Sequence, residues 1–241
     1  MKWLWGLALL GSQAWAFDPI DIGTVFPAVV QGHHGNNNNA CHQISGDQLI
    51  QLNNPKINGT GGLPLNFCSI QPDQNNSPRC DDGAGGYKVC TVTGSDIRGL
   101  ALNGNNAFLS TSSNRTQTCL SGSQTASSAA YGTMTVENCT MTFPSRSAYQ
   151  LKNLTVRNNA TLVLGEGDYF IDKLTLDNGT IRLSGSGITR IFVNQDVKLV
   201  NTVNINANNQ GSLIWVNYNN MVIDNSTTFY GYLYADGLLS P

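Results

Sequence analysis

Carboxylates are the first residues to weigh for chemistry. Asp168, Asp172, Asp177, Asp196 and Asp224 recur through the last third of a 241-residue chain, and aspartates at intervals can cleave polysaccharides as an acid–base pair or around calcium. His33, His34 and His42 crowd near Cys41 beside the run Gly35-Asn36-Asn37-Asn38-Asn39. Imidazoles on an Asn/Gly loop lack a fixed scaffold and the thiol is expected to be oxidised, so neither a metal nor a cofactor is expected. Six cysteines, Cys41, Cys68, Cys80, Cys90, Cys119 and Cys139, contain no Cys-x-x-Cys pair. Aromatic side chains at Phe170, Phe192 and Trp215, with Leu233 after them, could instead form a binding column.

Which of these groups can act depends first on compartment. Lys2, the apolar run Trp3 to Leu10 and the small-x-small sequence Ala14-Trp15-Ala16 match a signal peptide over residues 1–16, with the mature chain starting at Phe17. The apolar run is well short of the ~20 residues that cross a bilayer, so no membrane span is expected after cleavage. An even cysteine count in an exported chain reads as disulfides. About 15 connectivities are open to six cysteines. Neighbour pairing is preferred among them: Cys41 with Cys68, Cys80 with Cys90, and Cys119 with Cys139.

Charge excludes other classes. Thirteen Lys+Arg against 15 Asp+Glu give a net charge of −2, and charged residues are 12% of the chain. No basic stripe is present to displace counterions from phosphates, so nucleic acid is not an expected partner. Asn, Gly, Ser and Thr separate short apolar runs, a composition that favours turns and strands over helix.

The elements that position the candidate residues are repetitive. Leu154-Thr155-Val156-Arg157-Asn158, Leu174-Thr175-Leu176-Asp177-Asn178, Val197-Lys198-Leu199-Val200-Asn201 and Met221-Val222-Ile223-Asp224-Asn225 align without gaps, their asparagines 20, 23 and 24 residues apart. Two further short strands follow in each repeat. That length fits one coil of a parallel β-helix, in which equivalent strands pair at ~4.8 Å and alternate side chains stack inside. The expected fold is therefore all-β: a short parallel β-helix of about four coils over residues 150–236, capped by an irregular disulfide-containing β region. An antiparallel sandwich also explains alternating strands, but it gives no reason for Asn to return at one offset.

The division expected is a leader at 1–16, a disulfide-containing region at 17–145 and the repeats at 146–241, packed as one unit. The cap is expected either as irregular structure or as extra coils holding Val89-Cys90-Thr91-Val92 and Met134-Thr135-Val136. Residues 237–241 resemble the start of a fifth coil, so a further domain or subunit is expected to cover that edge, or the chain to be a fragment.

Stacking sets the geometry of the candidates. Asn158, Asn178, Asn201 and Asn225 should form a ladder, since Asn tolerates the left-handed corner and its amide can bond the next Asn along the axis. Phe170, Phe192, Trp215 and Leu233 should point outward in one column, a surface for a sugar ring or a partner strand, unless the disulfide region covers it. Asp177 and Asp224 share a column but lie two coils apart with Val200 between, so no calcium cage forms. Arg157 should meet Asp177 as an exposed pair worth little. No catalytic residue is expected.

Three segments together are similar to a known family. Gly165-Glu166-Gly167-Asp168-Tyr169-Phe170-Ile171-Asp172-Lys173-Leu174-Thr175-Leu176, then Thr189-Arg190-Ile191-Phe192-Val193-Asn194, then Phe229-Tyr230-Gly231-Tyr232-Leu233-Tyr234-Ala235 resemble the MshQ-like biogenesis proteins of the mannose-sensitive haemagglutinin (MSHA) type IV pilus. The resemblance implies a Gram-negative protein of the periplasm, outer-membrane surface or exterior, acting in adhesion or pilus assembly with pilus components or a surface glycan as partners. It carries over no catalytic residue. The other functions considered are a structural assembly module stacking on another domain and a β-helix carbohydrate-active enzyme.

Overall fold

The computed structural model describes residues 33–34, 49–50, 56–65, 69–70, 78–93, 97–98, 113–223, 226–235 and 239–240. The expected leader, Cys41, Cys68, His42, Asp224 and Asn225 lie outside the described residues. The described N-terminal strands are short: β1 (His33–His34), β2 (Leu49–Ile50), β3 (Lys56–Ile57), β4 (Ser69–Ile70), β5 (Arg79–Asp81), β6 (Tyr87–Val89) and β7 (Ile97–Arg98). Three pairs among them, β1–β7, β2–β4 and β3–β5, are parallel. β5 and β6 form an antiparallel hairpin, tied by the Cys80–Cys90 disulfide. Val89 therefore belongs to a hairpin, not to a coil.

From Thr116 onward the chain is a parallel β-solenoid of about seven turns, with no helix among the described residues. β8 (Thr116–Cys119) and β9 (Gly122–Thr125) form the first coil, and β10 (Ala130–Glu137) and β11 (Cys139–Phe143) the second. The long strands β12 (Ala148–Leu164) and β13 (Gly167–Leu183) wrap the third and fourth. The fifth comprises β14 (Ile188–Val193), β15 (Val197–Val200) and β16 (Asn204–Ile205), and the sixth β17 (Ser212–Asn217), β18 (Met221–Ile223) and β19 (Thr228–Phe229). β20 (Tyr232–Ala235) and β21 (Leu239–Ser240) begin the seventh.

The pairings rule out the sandwich. Leu154 lies beside Leu174 and Val156 beside Leu176, Leu176 beside Leu199, and Val197 and Leu199 beside Met221 and Ile223, all between parallel strands. Leu239 aligns with Met221's strand, as a continuing repeat requires. Expectation and structure differ in extent. Met134 and Val136 pair with Leu154 and Val156, and Gln117 and Cys119 with Met134 and Val136. The coils thus reach back through the boundary expected at residue 145, and seven turns replace four. The first was hard to read because Gln117, Cys119 and Gln124 stand where the later coils carry apolar residues.

Three sheets enclose one core that runs from Cys119 to Met221. The first sheet holds 148–151, 167–171, β14, β17 and β20; the second holds β8, most of β10, 154–157, 174–177, β15, β18 and β21; the third holds β9, β11, 161–164, 180–183, β16 and β19. Alternation drives the closure: 161–164 read half-buried and buried in strict turn, and each fully buried aliphatic side chain contributes roughly 1.5–3 kcal/mol. Tyr149 and Tyr169 stack at 5.1 Å with Phe143 edge-on to both. Their hydroxyls donate to Pro144 O at 2.8 Å and Gly165 O at 2.9 Å, which fixes the turn from the third sheet to the first. At that turn Gly167 has φ 136°, and a Cβ there would sit 1.8 Å from Arg146 O in the preceding coil. Only glycine allows so close an approach.

The first coil differs from the rest in its inward side chains. Gln117 continues the inward column of Met134 and Gln124 that of Met141. The Gln117 amide donates to Gln124 Oε1 at 3.2 Å, and the Gln124 amide to Thr118 O at 3.4 Å. A glutamine pair thus stands at the end of the described apolar interior, with groups that water can also satisfy, and the Cys119–Cys139 disulfide latches this coil to the next.

Candidate functional site

The expected aromatic column separates into two files. Phe170 and Phe192 do align, with rings stacked at 5.2 Å, but the strand pairings continue that file through Val216 and Tyr234. Trp215 and Leu233 stand one position away, in the file of Tyr169 and Ile191. A one-residue shift sends a side chain to the opposite face, and here it turns Trp215 into the core against Phe229. Phe170, Phe192 and Trp215 are 6%, 1% and 0% exposed. The four residues therefore do not form an open outward column.

The carboxylates are engaged between coils. Arg190 donates two hydrogen bonds to Asp168, at 2.6 and 2.7 Å, in a forked pair beside Phe170. Asn194 donates to Asp172 at 2.8 Å, Asn201 to Asp177, and the Asn220 amide to Asp196 at 3.1 Å. Arg157 lies level with Asp177 yet pairs with Glu137 on its other side at 2.5 Å, which corrects the expected partner. No three His, Cys, Asp or Glu side chains converge among the described residues. In the N-terminal hairpin, burial works against ionisation of Asp81, but hydrogen bonds from Thr60, Gly83 and Gly61 outweigh it and hold the carboxyl below its usual range. The Ala84 and Gly86 amides do the same for Asp82.

Asn138, Asn158, Asn178 and Asn201 all have positive φ, between 46° and 60°, so the corner is asparagine in four successive coils. Asn138 is an additional rung. Its signal was in the chain, since Met134-Thr135-Val136-Glu137-Asn138 repeats the pattern 20 residues before Asn158. The side-chain bonding differs from the expected amide ladder: Asn158 donates to Glu137 at 3.4 Å and Asn201 to Asp177. Carboxylates win because an ionised acceptor bonds an amide more strongly than another amide does. Asn159, also at positive φ, is an inserted residue where the register to the next coil shifts.

The outward faces of the second and third sheets are open and polar. On the second, Thr118, Thr135, Thr155 and Thr175 stand in one file. On the third, Ser123, Thr140, Thr161, Thr180, Asn204 and Thr228 follow in register over six coils. These residues were not singled out from the sequence, although a threonine precedes the second strand in successive repeats. Cys80–Cys90 and Cys119–Cys139 match the expected pairings, and both are compatible with an oxidising compartment. No family model, curated protein or solved structure matches this chain.

Proposed function

We propose that this chain is an exported, cell-surface protein of an MSHA-like type IV pilus system that acts in adhesion or pilus assembly, with a pilus component or a surface glycan as its partner. The observation that supports it is the outward wall: two open sheets repeat the same polar side chains coil after coil, while the carboxylates of the stack are committed to holding coils together. Such a wall offers many equivalent weak contacts, which suits attachment through multivalency. The test is to coat beads with the chain from Phe17 onward and measure their retention on glycan arrays and on purified pili. Retention on either supports the reading. Beads that behave as uncoated ones on both surfaces overturn it.

A second reading has its own support. Ile223, Phe229 and Leu233 pack against the core near the seventh coil but are only partly buried, which leaves apolar surface for a module that stacks on another domain. Concentration-dependent self-association without glycan retention would select it.

A further inference from the structure

The third sheet carries a two-dimensional net. Beside the six-coil file from Ser123 to Thr228, a second file two residues along the strand runs through Thr125, Thr142 and Val163 on three successive coils. Strand pairing fixes the spacing at about 4.8 Å along the axis and about 6.7 Å along the strand. Three properties bear on what this strip could bind, and the third separates it from the second sheet. Its threonines are β-branched and stiff at χ1, so methyl and hydroxyl hold fixed positions. Among the described residues, no group bonds the hydroxyls of Thr140, Thr142, Thr161 or Thr180, which leaves them to water. No charge enters either file over its first three coils, Arg182 being the first.

We propose that this strip is an ice-binding face. Hydroxyls at fixed spacing hold water at fixed spacing, methyl groups order the water between them, and the repeats of the net lie close to those of oxygen atoms on planes of ice. The packed core beneath keeps the net rigid. Charge complementarity favours this occupant, since ice is uncharged and an ionised side chain would keep a hydration shell of its own. The second sheet fails on that count within the same three coils, because Glu137 and Arg157 stand two residues along the strand from Thr135 and Thr155. A neutral crystalline polysaccharide is also uncharged, but the strip lacks the aromatic platform on which pyranose faces stack over these three coils.

The test compares the chain from Phe17 onward with Thr161→Lys on the third sheet and Thr155→Lys on the second. The readouts are inhibition of ice recrystallisation and retention on crystalline cellulose, with folding checked by circular dichroism. The unaltered chain and T155K inhibit recrystallisation, whereas T161K requires about tenfold more protein, the factor for losing ~1.4 kcal/mol of binding. Thr142→Lys replaces T161K if the latter does not fold. The proposal is overturned if the unaltered chain leaves ice growth unchanged, if a folded third-sheet variant matches it, or if the chain binds cellulose without affecting ice.

Discussion

Trp215→Ala is the substitution that most sharply separates a core role from a surface role. Trp215 is fully buried, is flanked in its file by Ile191 and Leu233, and meets Phe229 at 6.2 Å with the rings at 63°. Truncating such a side chain removes its transfer energy and leaves a cavity, a cost of about 3–5 kcal/mol, against a total stability of about 5–15 kcal/mol for a typical domain. The loss should be local, because each coil touches only its neighbours. Trp215→Phe is the informative companion. The indole Nε1 has no hydrogen-bond partner among the described residues, and a buried unpaired donor costs roughly 1–3 kcal/mol. Removing it offsets part of the lost volume, so Phe should be tolerated far better than Ala. Urea unfolding followed by far-UV circular dichroism gives the two costs, and hydrogen exchange locates them. The expected result is lost protection in the fifth to seventh coils for W215A, with the third and fourth unaffected. A W215A chain with unchanged midpoint and exchange would refute the inward placement of this residue.

Three further outcomes follow from the same packing. Gly167→Ala should lower stability by at least ~2 kcal/mol, since a Cβ would overlap Arg146 O at a backbone angle that side chains rarely adopt; thermal unfolding checks it. Replacing Cys119 and Cys139 together by serine should cost about 3 kcal/mol, the value for a loop of this length, with fast exchange confined to β8 and β9; loss of protection throughout the solenoid would contradict the latch. Burial pushes the Tyr169 hydroxyl well above its ordinary value and does the same, against the pull of Arg146, for Tyr149. A raised folded pKa means stability present below pH ~10 and lost as pH rises beyond it, so ultraviolet titration should show tyrosinate from Tyr169 only on alkaline unfolding, and Tyr169→Phe should move that transition upward.

How much of this was legible depended on what each residue reports. The columns through Leu154 and Val156 could be read because strand alternation and a recurring Asn fix register locally, and a parallel stack repeats that register. Coil one could not, because Gln117, Cys119 and Gln124 occupy inward positions that the next coil fills with Met134, Val136 and Met141; a polar coil looks like a loop in sequence, whereas Met134-Thr135-Val136 left coil two partly legible. Trp215 was misplaced for a different reason. Ile214-Trp215-Val216 resembles Ile191-Phe192-Val193, but the observed register sets Trp215 against Ile191, and the longer turn between those coils conceals the one-residue offset. Bonding preference was also out of reach: Arg157 had Asp177 and Glu137 on either side in register, and only the side-chain geometry selects Glu137.

Spin-pair distances within the third-sheet file test the stacking itself. Labels at Thr140 and Thr228 are separated by four coils and those at Ser123 and Thr228 by five, so the backbone separations should be about 19 Å and about 24 Å at ~4.8 Å per coil. Two narrow distributions that differ by one coil's rise are the predicted result. Broad distributions, or a second distance no longer than the first, would contradict a solenoid with equivalent residues stacked along one axis.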